Sequence, residues 1–203
     1  NLLKEGIPEN KIFISGNTSI DALRFVLSKE KKFTTNNTIL ITIHRRESFG
    51  NPIINICRAI KSLASKTPDF EYILPIHTNP KVKKVIQSNL NKVSNLKITK
   101  PIRYSEFINI LNNSFMVMTD SGGLQEEASF LGIPTLILRT VTERQEVVKS
   151  YNAKITGFDT NQIVNDAMEI IKNKNIYRKM SKKNNLFGDG NASKLIIEKL
   201  KKD

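Results

Sequence analysis

At 203 residues, 39% of them hydrophobic and 25% charged, the chain can bury a full core as one domain with a small appendage. No apolar run approaches the ~18 residues that a membrane-spanning helix needs, and a single cysteine, Cys57, excludes an internal disulfide framework and any cysteine-rich metal site. Thirty-two Lys and Arg against nineteen Asp and Glu give a net charge of +13. The lysines are scattered, with no recognition helix, RNA-stacking motif or zinc-finger spacing beside them, so a solvated, lysine-rich surface is the better reading than nucleic-acid binding, and the charge would still favour an anionic small ligand.

Residues 1–6 read as the end of a helix, with Gly6 as its stop and Pro8 beyond, and residues 11–14 as a short strand. A chain that opens on the closing turn of a helix is expected to have lost what came before. GNTSIDAL (16–23) starts a helix at Asn17 or Thr18, carrying Ile20, Leu23, Phe25 and Val26, and the polar stretch 28–37 reads as a loop. A strand–helix alternation then sets in. Strands are expected at 38–43, 70–76, 96–99, 115–119 and 134–138, with 153–156 as a sixth. Each is short and rich in Ile, Val, Leu or Phe, as strands buried on both faces of a parallel sheet are. Helices are expected at 52–65, 80–90, 104–111, 123–131, 143–150, 161–172, 176–182 and 192–201, two of them opening on proline. Cys57 shares an apolar helix face with Ile53, Ile56 and Ile60. The pattern is α/β: a doubly wound, Rossmann-like parallel sheet.

The stretch TDSGGLQEEA (119–128) lies at a strand-to-helix turn. Asp120 and Ser121 can cap the helix, and Gly122 and Gly123 leave its first amides open to an anion such as a diphosphate. Glu126 and Glu127, one turn further in, can accept hydrogen bonds from sugar hydroxyls. Ligands of open parallel sheets bind beyond the carboxyl ends of the strands. Collected there are His44, Arg45, Arg46 and Glu47, then His77, then Arg103 and Tyr104, then Asp120 and Ser121, and lastly Arg139, Thr142, Glu143 and Arg144. A positive rim around a Gly-rich helix start suits a diphosphate. Each member has a plainer use: His44 as a helix cap, His77 in a turn, Arg45 or Arg46 paired with Glu47, and Arg139 and Arg144 paired with Glu143 or Glu146. Two histidines without a carboxylate cluster give no metal site. No nucleophile elbow, P-loop lysine or dinucleotide fingerprint is present.

Six ordered segments, GNTSIDAL (16–23), TIHRRESFG (42–50), PIHTNPKV (75–82), TDSGGLQEEA (119–128), TERQE (142–146) and FGDGNAS (187–193), resemble the non-hydrolysing UDP-N-acetylglucosamine 2-epimerases in order and spacing. The resemblance implies the second half of a glycosyltransferase-B-like two-domain fold, whose first half precedes the region matched by Asn1. It divides the chain into 1–16 (remnant and interdomain connection), 17–184 (Rossmann-like UDP-binding domain) and 185–203 (a C-terminal helix packing back towards the absent domain). It implies an isomerase that interconverts UDP-N-acetylglucosamine and UDP-N-acetylmannosamine by elimination and re-addition of UDP. No cofactor is expected, and composition makes a cytoplasmic protein the default. Ser121, Gly122 and Gly123 would hold the diphosphate, Glu127 the ribose, Arg144 the nucleotide and the Phe107 backbone the uracil, with His44 catalytic. Arg45 and His77 match residues that touch a second, activating UDP-N-acetylglucosamine. Homodimers are usual in the family, with contacts largely in the first half, where its catalytic carboxylates also lie. Ile43, Gln145 and Tyr151 depart from the family's usual residues; Tyr151 stands where glycine is common and a positive φ is expected. The other readings are a glycosyltransferase half, a stand-alone UDP-binding module and, last, a nucleic-acid binder.

Overall fold

The computed structural model describes residues 2–29, 37–76 and 78–202. After a short 3₁₀ turn at Leu2–Glu5 and another at Glu9–Lys11 come α1 (Thr18–Lys29), β1 (Thr38–Thr42), α2 (Asn51–Lys66), β2 (Glu71–Pro75), α3 (Pro80–Leu90) and β3 (Leu96–Thr99). The second half runs through α4 (Tyr104–Asn112), β4 (Ser114–Thr119), α5 (Gly122–Leu131), β5 (Thr135–Ile137), α6 (Gln145–Lys149) and β6 (Ala153–Ile155). Three helices close it: α7 (Thr160–Lys172), α8 (Lys174–Met180) and α9 (Ala192–Leu200).

The strands form one sheet in the order β3-β2-β1-β4-β5-β6, every neighbouring pair parallel. From β1 the chain winds one way through β2 and β3, and from β4 the other way through β5 and β6. The direction therefore reverses between β1 and β4, which is where a crevice opens at the strand ends. Alternation along the strands feeds two cores. Ile39, Ile41, Met116 and Met118 pack with Ile53, Cys57 and Ile60 of α2, Ile86 of α3 and Ile163 of α7. Leu40 and Val117 point the other way, onto Ile20 and Leu23 of α1, Ile108 and Leu111 of α4, and Leu124, Ala128 and Leu131 of α5. Cys57 is a core residue, and burial pushes its thiol up to about 12.

The first residues do form a helical turn that Gly6 closes, at φ +83°, with Gly6 and Ile7 donating back to Leu3 and Leu2. The strand expected at 11–14 is not formed: a strand needs a ladder partner, and Phe13 and Ile14 are exposed instead. In α1, Ile20 and Leu23 are buried but Phe25 lies outside, under the Lys29 ammonium at 3.9 Å. α1 runs through Lys29, so the expected loop begins later, and residues 30–36 lie outside the described ones. The helix expected at 143–150 begins only at Gln145, because Thr142 and Arg144 are tied to α5. Tyr151 does adopt the left-handed conformation, φ 64°, with the Lys179 ammonium 3.3 Å from its ring centroid. Segments 16–23 and 187–193 meet: Asn17 N donates to Phe187 O, and Asp21 accepts from the first amides of α9, Ala192 and Ser193. At this crossing a side chain on Gly16 would stand 3.0 Å from the Gly188 backbone.

Candidate functional site

The site is built where β1 and β4 end side by side. Thr42 and Thr119 are in register and their hydroxyls lie 2.6 Å apart. The Thr119 hydroxyl also accepts from Ser121 N at 2.9 Å, turning the chain sharply into α5. Ser121 is the N-cap of α5, its hydroxyl accepting from Leu124 N at 3.4 Å. Gly122 and Gly123 follow as the first helical residues, and their amides have no intrahelical acceptor. A side chain at Gly123 would meet nothing within 4 Å, so this end of the helix is open. A β-carbon at Gly122 would stand 3.5 Å from Arg45 Nη2 and 3.7 Å from Arg144 Cζ. Two guanidinium groups thus converge on the helix start, where the dipole already favours an anion.

The expected positive rim is more nearly balanced than composition suggests. Arg139, whose side chain is only 4% exposed, is held by Glu47 and by both oxygens of Glu143, at 2.7 and 3.1 Å. Those Arg139 hydrogen bonds draw Glu143 down to about 2. Arg45 makes a long contact of 3.4 Å to the same carboxylate. Arg144 does not pair with Glu143 or Glu146: its Nε donates to Glu126 Oε1 at 2.7 Å, and its terminal nitrogens have no protein partner among the described residues. Its backbone amide donates to the Thr142 hydroxyl, which donates to Gln125, whose amide donates to the Ser121 carbonyl. Arg144 is therefore moored to the helix start that it flanks.

Asp120 does not cap α5. It is fully buried, and burial alone would raise its pKa; the His44 imidazole, the Arg45 amide and the Ser48 hydroxyl outweigh that and hold it below the ordinary carboxylate value. Its Oδ2 accepts from Arg45 N at 2.9 Å and Ser48 Oγ at 2.8 Å. His44 N lies within 3.1 Å of both oxygens, and His44 Nδ1 lies 3.1 Å from Oδ1. A carboxylate only accepts, so in this pairing His44 Nδ1 carries the proton and donates to Asp120.

Glu126 and Glu127 do not share the task of binding hydroxyls. Consecutive helical residues diverge by ~100°, and Glu126 turns to Asn17, Ser19 and Arg144. Glu127 turns to α4, where the Tyr104 hydroxyl donates to its Oε1 at 2.7 Å. Burial pushes the Glu127 pKa up, Tyr104 works against this, and neighbouring Glu126 adds to it. Phe107, one turn beyond Tyr104, lines a cavity of about 260 Å³ over the ends of β1 to β3, with Thr42, His44, Pro75, Pro101 and Ile102. A larger concavity of about 660 Å³ lies at the α7–α8 turn, among solvated Lys and Asn side chains and away from the strand ends.

His44, Arg45, Ser121, Gly122, Gly123 and Arg144 are thus brought together around one helix start, with Glu127 and Phe107 further along. His77 lies outside the described residues. Asp120, Glu126, Asn17 and Tyr104 were not singled out by sequence for the parts they play. The ~100° divergence of adjacent carboxylates was the one readable signal.

The UDP-N-acetylglucosamine 2-epimerase family matches residues 1–201. The chain belongs to that family. A putative UDP-N-acetylglucosamine 2-epimerase of Clostridium acetobutylicum is 43% identical over 98% of the chain and 54% of its own length. The Neisseria meningitidis UDP-GlcNAc 2-epimerase, solved bound to UDP-GlcNAc, is 41% identical and superposes with a TM-score of 0.95, over 100% of this chain and 58% of that one. Staphylococcus aureus MnaA, solved with UDP, gives a TM-score of 0.93 at 35% identity, over 98% of this chain and 56% of that one. The chain spans little more than half the length of these relatives, and the part it spans is a doubly wound parallel sheet. No helix among the described residues is long and apolar enough to cross a membrane.

Proposed function

We propose that the chain is the nucleotide-binding half of a non-hydrolysing UDP-N-acetylglucosamine 2-epimerase, an isomerase that interconverts UDP-N-acetylglucosamine and UDP-N-acetylmannosamine in the cytoplasm. The observation that carries the reading is the convergence of Arg45 and Arg144 on the open amides of Gly122 and Gly123, at the reversal point of the sheet. In this reading the diphosphate rests on Ser121, Gly122 and Gly123, the uracil enters the cavity beside Phe107, and Glu127 takes the ribose. UDP leaves by elimination across C1 and C2 and is added back after C2 is reprotonated on the other face.

Departure of UDP develops charge on the diphosphate, and preorganised donors of this kind are worth about 3–4 kcal/mol each in other enzymes. The amides and the terminal nitrogens of Arg144 fill that part. His44, steadied by Asp120 through Nδ1, acts in this reading as a proton or hydrogen-bond donor near the departing group. The carboxylates that move the C2 proton belong to the partner half. Residues 1–16 and 185–203 frame the nucleotide-binding body, 17–184, and the exposed Leu195, Ile197 and Leu200 of α9 suit cover by that half. Arg45 and His77 belong to an activator site for a second UDP-N-acetylglucosamine, and the assembled enzyme is a homodimer that uses no nucleic acid and no membrane.

Calorimetric titration of the chain with UDP tests the binding claim: saturable binding that Arg144→Ala weakens about tenfold or more is expected, and absence of binding overturns it. The catalytic claim is tested in deuterated water. The chain alone is expected to leave C2 of UDP-N-acetylglucosamine without deuterium and to incorporate it once a first half is supplied; incorporation without that half overturns the division of labour.

A further inference from the structure

Glu127 and Tyr104 form a unit of their own beside the diphosphate cradle. Glu127 is almost wholly buried, and its Oε1 is committed to the Tyr104 hydroxyl at 2.7 Å, while the described residues give Oε2 no partner. Tyr104 is 43% exposed and stands at the start of α4. Three residues on, Phe107 lines the cavity over the strand ends, and side chains three apart share one helix face. Along that face the cavity and the carboxylate follow one another as base and pentose do in a nucleoside.

We propose that Tyr104 sets the pentose specificity of this site, by holding Glu127 as a fixed acceptor with one oxygen turned to the ligand, so that a ribonucleotide is taken over its deoxy analogue. The inference rests on the nucleotide reading above. A buried carboxylate left to itself tends to take up a proton, and a protonated carboxyl can donate as well as accept. The Tyr104 hydrogen bond favours the ionised form, which only accepts. With Oε1 occupied, Oε2 loses its water when a ligand covers it and then requires a donor from that ligand; a pentose hydroxyl supplies one and a methylene does not. A site built to bond a hydroxyl rejects the analogue lacking it, because its own buried group is then left unpaired. Without the tyrosine hydroxyl the carboxylate is free to reorient towards water or protonate, and the missing hydroxyl is felt less. Tyr104 is on this account a positioning residue that acts through Glu127.

The test compares dissociation constants for UDP, 2′-deoxy-UDP and 3′-deoxy-UDP on the full chain, measured by calorimetry. A hydrogen bond to a charged group corresponds to a factor on the order of 10 to 100 in affinity. The wild-type chain is therefore expected to prefer UDP by that factor over at least one of the two analogues. Tyr104→Phe is expected to bind UDP about tenfold more weakly, to bind the rejected analogue nearly as well as before, and so to reduce the preference about tenfold. Glu127→Gln, which replaces the carboxylate with an amide, is expected to reduce it likewise. The preference is a ratio of two affinities of the same protein, so partial unfolding of a variant does not move it. If Tyr104→Phe keeps the wild-type preference, or strengthens UDP binding because the tyrosine merely occupied the ribose position, the inference falls and the nucleotide reading stands. If the wild-type chain binds none of the three, both fall together.

Discussion

Replacing Asp120 with Asn probes the hub of the site without changing its shape. The carboxylate serves three donors mainly through Oδ2, namely Arg45 N, Ser48 Oγ and His44 N, and His44 Nδ1 through Oδ1. The amide of Asn has one accepting oxygen and one donating nitrogen. Two of the donors are backbone amides fixed by the turn after β1, so the oxygen must take the Oδ2 position and the nitrogen must face the imidazole. Each of the three retained bonds then changes from charge-assisted to neutral, a loss of about 1 kcal/mol apiece. Relief from burying a charge offsets part of this, leaving a destabilisation of about 2 kcal/mol. At His44 the outcome is qualitative. Facing a donor, Nδ1 must become an acceptor, and the proton moves to Nε2. Long-range ¹H–¹⁵N correlation spectra of the imidazole report the tautomer directly, and urea titration reports the stability. The expected result is the Nδ1–H form in the wild type and the Nε2–H form in the variant. Persistence of Nδ1–H in Asp120→Asn, or an unchanged urea midpoint, would refute the account of how His44 is held.

Acid should destabilise the fold through Asp120 and Glu143. Both are held below their ordinary values of 3.8 and 4.5, Glu143 at about 2. The unfolded chain then binds more protons in that interval, so the contribution is complete at pH 7 and is lost as pH falls from about 4.5 towards 2, as urea midpoints across that range will show. Glu127 runs the other way, since its raised pKa means stability lost as pH rises above about 4.5; Glu127→Gln is expected to raise the melting temperature at pH 7. Cys57 should resist a thiol reagent in the native chain at pH 8 and react fully in urea, because burial holds its thiol at about 12. Gly132→Ala is expected to cost about 2–4 kcal/mol by chemical denaturation, since the residue sits at φ 73° and its new methyl would stand 2.6 Å from Ser181 O.

What sequence revealed and what it hid follow a physical division. β3 was readable to the residue, and β1, β2 and β4 to within one or two; in β1 and β4 burial on both faces writes a continuous apolar run, while β2 and the edge strand β3 show as short Ile- and Leu-bearing runs between polar segments. The site's position was readable too, since Ser121-Gly122-Gly123 announces a helix start and the strand ends follow from topology. Its wiring was not. Asp120 reaches 76 residues back to His44, and Glu126 reaches 109 back to Asn17, and no local pattern encodes a partner at that distance. Cationic residues were counted as a positive rim because counting sees charges singly, whereas the fold seats Arg139 between two glutamates. The apolar 11–14 stretch failed as a strand because alternation supplies a face to bury but no ladder to join.

At its two rims the sheet ends in β3 and β6, strands of four and three residues, each with a lysine near its middle. Lys97 is exposed, and Lys154 is clamped by Asp166 at 2.7 Å and Glu169 at 2.9 Å. An incoming seventh strand finds too few free peptide groups to hold a register and an ammonium group where it would dock. Growth of the sheet from one molecule into the next is discouraged at both ends, so concentrated solutions of the chain have no ready route to edge-to-edge polymers.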